Sequence, residues 1–319
     1  MKRFLVKIAG LAFAFGLLNL LLLIVVPTDE SNYLYEYNHK VQLLDTVSQP
    51  RIIFLGGSST AFNNDSRTIQ DSTGYNIINC GLHAGLGIKI PLKDGLQYIK
   101  EGDIVVMQIE YANFFNGGNG EPETLPSFMV TTNWRYCRLL NLTQWKKLIQ
   151  GIPRENVRSL MNLAKTLANK NGGNLHESKE YVYVKEGFNE FGDEVNHLNF
   201  PGQKYTPTGK TNTKKVNPDF IKWLSTYITY YEKAGAKIVM LPPSCIASYL
   251  PESYNENIGN TLAEIQHPYL VHPSLMTVND SCMFNTEYHL TKEGVRQNTQ
   301  NIIKVLKENN IIQAPNSPK

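Results

Sequence analysis

The sequence predicts an α/β fold: a central parallel sheet covered by helices on both faces, carried behind one N-terminal membrane-spanning helix. Three observations predict it. Short apolar runs at 52–55, 75–79, 104–110 and 236–241 alternate with segments of helical periodicity, the pattern of parallel strands joined by helical crossovers. The first run passes straight into Gly56-Gly57-Ser58-Ser59-Thr60, a strand-exit loop of the kind that lies at the carboxyl edge of an open sheet, where such folds take their ligands. Ahead of all this, residues 8–26 are almost uninterruptedly apolar.

That apolar run comes after Lys2, Arg3 and Lys7 and is broken among its larger side chains only by Asn19. Its nineteen residues, as a helix rising about 1.5 Å each, span roughly 28 Å, close to the hydrocarbon thickness of a bilayer. The basic flank keeps the N-terminus inside and places the chain after Pro27 outside. A cleaved signal peptide is the alternative, but the run ends in Val25-Val26-Pro27-Thr28, without a small-x-small site. The expectation is an uncleaved single-pass anchor over 1–27 with the remaining chain extracytoplasmic.

The 319 residues suffice for one large α/β domain with an insertion, and 42% hydrophobic with 18% charged residues is ordinary globular composition. A formal charge of +3, without a Lys/Arg-rich stretch, argues against nucleic acid as a partner. Cys80, Cys137, Cys245 and Cys282 are widely spaced and form no CxxC pair, so no cysteine zinc site is expected; sequence leaves their pairing open.

Taken in order, residues 28–50 read as a juxtamembrane linker or short helix stopped by Pro50, and 66–72 as a short helix or turn. Residues 88–99 form a helix with Pro91 near its start, and Gly102-Asp103 a turn. From 115 to 217 the pattern degrades into an insertion over the sheet edge, with helices at 145–152 and 157–168, one alternating patch at 181–184, and the role of a lid. Regularity returns with helices at 218–234, 257–265 and 291–309 and a short fifth strand at 269–272. Residues 311–319 are expected to be a flexible tail.

A serine hydroxyl needs a base to take its proton and donors to hold the developing oxyanion. Ser58 stands at the edge of the first strand and brings its own amide; Gly81, ending the second strand, brings another. His289, just before the last helix, is the base that the topology returns to the same edge. Gly-Gly-Ser-Ser after the first strand, Asn79-Cys80-Gly81 after the second and a late histidine together resemble the SGNH/GDSL hydrolase family. The resemblance covers about 51–110 and 236–310. It implies a flavodoxin-like α/β/α sandwich and ester hydrolysis without cofactor or metal. Ser58 matches the nucleophile and Gly81 an oxyanion donor, while Gly57 stands where many members carry Asp.

Two positions depart from that pattern. In place of the family's Gly-x-Asn-Asp after the third strand stands Gln108-Ile109-Glu110-Tyr111-Ala112-Asn113, so either Asn113 supplies the third oxyanion donor or Glu110 and Tyr111 merely line the pocket. Three residues before His289, where an Asp is usual, stands Thr286, with Asn285 one further back. The catalytic set is then a Ser58–His289 dyad, with Asn285 available to orient the ring. Other histidines have plainer expectations: His83 caps or packs in its loop, His176 and His197 lie on the surface of the insertion, and His267 and His272 are structural. Reading Gly-Gly-Ser-Ser-Thr as a phosphate cradle meets no P-loop lysine and no GxGxxG spacing. The expected function is thus a membrane-anchored extracytoplasmic serine esterase, removing or transferring acyl groups, acetyl above all, on an envelope or exported glycan. The alternative is a catalytically degraded member that binds glycan or an envelope partner.

Overall fold

The computed structural model describes residues 1–26, 29–169, 182–204, 215–249 and 252–312. Its centre is a four-stranded, wholly parallel sheet in the order β2 (Asn76–Asn79), β1 (Arg51–Gly56), β3 (Ile104–Gln108), β4 (Lys237–Met240). β1 and β3 are buried along their whole length, as strands covered on both faces must be, and this is why they read as continuous apolar runs.

Alternate residues of the strands serve the two faces. Ile53 and Leu55 of β1 pack with Phe220, Leu224 and Ile228 of α9 (Pro218–Lys233) and with Leu92 of α5 (Lys89–Gly95). Ile52 and Phe54 pack on the opposite side, with Ile69 of α4 (Ser66–Thr73) and with Ile302 and Leu306 of α11 (Lys292–Glu308). α3 (Ser58–Asn63) leaves β1 directly, and α6 (Tyr111–Asn116) comes after β3. Both open at the carboxyl edge of the sheet.

Several expectations need correcting. Residues 29–50, expected as a linker or short helix, hold the helix α2 (Glu36–Thr46) and are part of the domain: Tyr33, Leu34, Tyr37 and Leu44 are core residues, the last two on α2. Their tyrosine hydroxyls donate inward, Tyr33 to the Leu82 carbonyl at 2.6 Å and Tyr37 to Asp94 at 3.0 Å. Residues 269–272 do not form a strand. Pro268 and Pro273 bracket them, and the Leu270 amide makes a single bond to the Met240 carbonyl at 2.8 Å. The additional strands are instead the short parallel pair β5 (Cys245–Ile246) and β6 (Thr277–Val278), on either side of α10 (Glu252–Glu264).

The insertion is more ordered than its composition suggests. α7 (Thr124–Thr131) packs on α8 (Leu142–Asn169), which runs unbroken through Pro153 where two helices were expected. Residues 182–200 lie along the exposed edge of β2: the Asn79 amide donates to the Phe191 carbonyl at 2.9 Å. Buried Lys40 fastens the same seam by donating to the carbonyls of Asn79 (3.0 Å) and Gly192 (2.5 Å). Covering an edge strand in this way removes its unpaired amides from solvent. Tyr181 of the alternating patch, His176 and residues 313–319 of the expected tail lie outside the described residues; Ile312, inside that tail, is buried in the core.

Arg51, fully buried at the start of β1, forms a two-point ion pair with buried Asp103, both bonds at 2.8 Å, and also donates to the carbonyls of Leu44 and Tyr98. One guanidinium thereby joins the end of α2, the start of β1 and the turn before β3.

α1 (Lys2–Val25) contains an 18-residue stretch with a mean hydropathy of 2.6 and, among the described residues, is the one helix long and apolar enough to cross a membrane. Asn19 is its sole buried residue; Asn156 of α8 donates its amide to the Asn19 side-chain oxygen at 2.9 Å and carbonyl at 3.0 Å. The four cysteines are free thiols.

Candidate active site

The edge where β1 and β2 end is built so tightly that glycine is required there. A Cβ on Gly57 would lie 2.6 Å from the Glu110 carboxylate, which explains why an Asp is not accommodated at this position. A Cβ on Gly81 would lie 2.5 Å from the Ala61 amide and 2.8 Å from the Gly57 carbonyl. Gly81 therefore lets the exit of β2 press against the first turn of α3, beside Ser58.

Ser58 opens α3 and is partly exposed. Its Oγ lies 3.5 Å from Oε1 of Glu110, and the same oxygen accepts the Ser59 amide at 2.8 Å. Glu110 is buried, which raises its carboxyl above the usual range, with the Ser59 amide pulling the other way.

His289 reaches α3 one turn further along. Its ring stacks on Phe62, centroids 4.0 Å apart and planes within 10°. Ser58 and Phe62, four residues apart on α3, lie on one face of that helix. Asn63 fixes the histidine loop by accepting the Leu290 amide at 3.1 Å and donating to the Tyr288 carbonyl at 2.7 Å.

The ring is oriented as Asn285 was expected to orient it. Nδ1 of His289 lies 2.8 Å from the Asn285 Oδ1, while the Asn285 amide donates to the Tyr183 hydroxyl at 2.8 Å. That network assigns the proton to Nδ1 and leaves the lone pair on Nε2. Burial, reinforced by His197 and His83 nearby, drives the imidazolium down to about 3, so the ring is neutral at physiological pH. A neutral imidazole with its lone pair on Nε2 is the form a general base needs.

The structure thus gathers the expected residues into two adjoining groups. Ser58, Gly81 and Asn113 surround the Gly57–Glu110 contact, and His289 with Asn285 stands against Phe62 of α3. Ser58 Oγ is paired with Glu110 and makes no hydrogen bond to His289. Two expected oxyanion donors are committed elsewhere: the Gly81 amide donates to Asn79 Oδ1 at 2.9 Å, and the Asn113 side-chain amide to the Glu110 carbonyl at 3.2 Å.

Sequence reasoning missed four participants. Glu110, treated as a pocket-lining alternative, is the direct neighbour of both serine positions. Tyr183 comes from the alternating patch of the insertion and closes the Asn285–His289 network. Buried Asp193 accepts from Asn79 at 2.7 Å and from the Ser66 hydroxyl at 2.6 Å, locking the insertion to the end of β2 and the start of α4. His197, expected on the surface, is completely buried. Its Nδ1 bonds to Glu194, its ring lies 4.8 Å from Phe62, and its Nε2 has no partner among the described residues. The Asp193-Glu194-x-x-His197 spacing, two acids and a histidine within five residues, is the signal that marks the last two. His83 caps its own loop as expected, accepting the Gly85 amide at 2.9 Å.

No family model, curated protein sequence or solved structure matches the chain at a significant level, so the site rests on its own geometry.

Proposed function

We propose that the chain is a membrane-anchored serine esterase or acyltransferase of the SGNH type, with its domain outside the cytoplasmic membrane. Ser58 is the nucleophile and His289 the base, oriented by Asn285 and Tyr183. The observation that carries this is the neutral His289 imidazole, held at Nδ1 by Asn285 and stacked on Phe62 one turn from Ser58. The strand order 2-1-3-4 agrees with a flavodoxin-like sheet, in which ligands sit where β1 and β3 diverge. Attack on an acyl carbonyl would pass the Ser58 proton to Nε2, collapse the tetrahedral intermediate to an acyl-enzyme, and return the proton to the departing alcohol. Ser58 Oγ must turn from Glu110 towards Nε2 for this; such contacts commonly close only in the Michaelis complex. The α1 anchor favours O-acyl groups, acetyl above all, on an envelope or exported glycan as substrates.

A second reading is favoured by the committed donors. With the Gly81 and Asn113 amides occupied and Glu110 against the Ser58–Ser59 turn, the same edge suits a non-catalytic envelope protein that binds a glycan or a partner. Hydrolysis of p-nitrophenyl acetate by the full chain in detergent separates the two. The esterase reading expects turnover that falls at least a hundredfold in both Ser58→Ala and His289→Ala. Turnover that survives either substitution, or none in the folded parent, overturns it.

A further inference from the structure

The longest helix of the domain carries an apolar face that the fold leaves uncovered. On α8, Leu142, Ile149, Val157, Met161 and Leu167 are each more than half exposed, and their spacing puts them on one side of the helix. Trp145, about 40% exposed, lies on the same side, as does the exposed Lys146. The opposite side is the one that packs into the domain: Leu148 is buried, and Gly151 meets Pro122 and Pro126 so closely that a Cβ would lie 1.8 Å from the Pro122 carbonyl. This stripe is therefore not a core face waiting for an internal partner.

The helix beside it is the anchor. α8 meets α1 through the Asn156–Asn19 hydrogen bonds, and Leu22 and Leu23 of α1 are partly buried. Asn19 precedes Val25 by six residues, or about 9 Å of helix rise. If α1 spans the bilayer, the middle of α8 is held about that far inside its outer boundary. Lys147, Arg154, Arg158 and Lys165 succeed one another along a single flank of α8, against one acidic residue on the helix, Glu155. Arg154 and Arg158 also pair with Glu123 and Glu155.

We propose that α8 is an in-plane membrane helix: its apolar face lies in the outer leaflet, continuous with the surface of α1, and its basic flank meets anionic phospholipid headgroups. An amphipathic helix of this kind sinks roughly 5–10 Å into the interface, in agreement with the depth that Asn19 sets. Arg158 and Asn162 of α8 also form one wall of a cleft of about 540 Å³ that ends on His83 and Tyr183. An α8 laid on the membrane brings that cleft to headgroup level.

Spin-label accessibility on the full chain in phosphatidylcholine–phosphatidylglycerol vesicles tests this, because α1 keeps every variant membrane-bound. In a Cys137→Ser background, labels are placed at Ile149→Cys and Leu160→Cys, with Lys304→Cys on α11 as the aqueous reference. The expected result is several-fold greater collision with oxygen than with a water-soluble nickel chelate at the two α8 positions, and the reverse at Lys304→Cys. Labels on α8 that read as aqueous overturn the proposal. So do labels shielded from both reagents, which would mean that a protein surface covers the stripe. Circular dichroism matching the parent shows that the labelled chains are folded.

Discussion

Replacing Asn285 with Asp tests the orientation of the catalytic base most finely. The substitution is nearly isosteric and puts a carboxylate oxygen 2.8 Å from Nδ1 of His289, where a neutral amide oxygen now accepts. Burial holds the imidazolium at about 3. Two unit charges about 4 Å apart at an effective dielectric near 20 attract by about 4 kcal/mol. At about 1.36 kcal/mol per unit, that is roughly three pH units, which moves the midpoint of the pair to about 6. In the parent, the unfolded chain takes up a proton on His289 below its ordinary value while the folded chain does not. Stability is therefore undiminished by this group above about pH 6.5 and is lost progressively as pH falls towards 3. In Asn285→Asp most of that loss disappears. Histidine NMR titration of the two chains, with melting temperatures from pH 7 to pH 5, measures both effects. A midpoint that stays near 3 with the Asp in place would refute the Nδ1 contact and the tautomer assigned from it.

Two further expectations concern the frame. Gly81→Ala drives its Cβ into the Ala61 amide and Gly57 carbonyl, neither of which can swing aside, so the cost should exceed about 3 kcal/mol and separate β2 from α3; a chemical melt within about 1 kcal/mol of the parent would contradict the packing described. Asp103→Asn leaves the Arg51 guanidinium buried without its counter-charge and should cost about 3–5 kcal/mol, whereas Arg51→Met with Asp103→Leu together should recover much of it; denaturant unfolding of the single and double variants decides this.

The sheet was legible because its strands are short and apolar, three of the four being closed by glycine or proline, and the same rule put Ser58 after β1 and Gly81 after β2. The features that were not legible depend on contacts between distant segments. Tyr33, Tyr37 and Lys40 look like linker residues until their polar tips are seen to meet carbonyl and carboxylate partners inside the domain. Glu110 reads as an ordinary strand-end acid, since nothing local says that Gly57 is a glycine to make room for it. Tyr183, Asp193 and His197 sit in a stretch of weak periodicity, and it is the unpaired edge of β2 that orders them. The 269–272 segment failed as a strand because periodicity ignores the missing amides of Pro268 and Pro273. The helices expected at 145–152 and 157–168 are one helix, because the amphipathic pattern continues across Pro153.

The central claim is that Ser58 is a nucleophile activated by His289. Treating the full chain in its membrane with a fluorophosphonate and mapping the adduct measures this directly. A single adduct on Ser58 is expected, absent in Ser58→Ala and slowed at least a hundredfold in His289→Ala. A folded parent that takes up no probe, or an adduct that persists in Ser58→Ala, would contradict it and leave the edge of β1 as a binding surface.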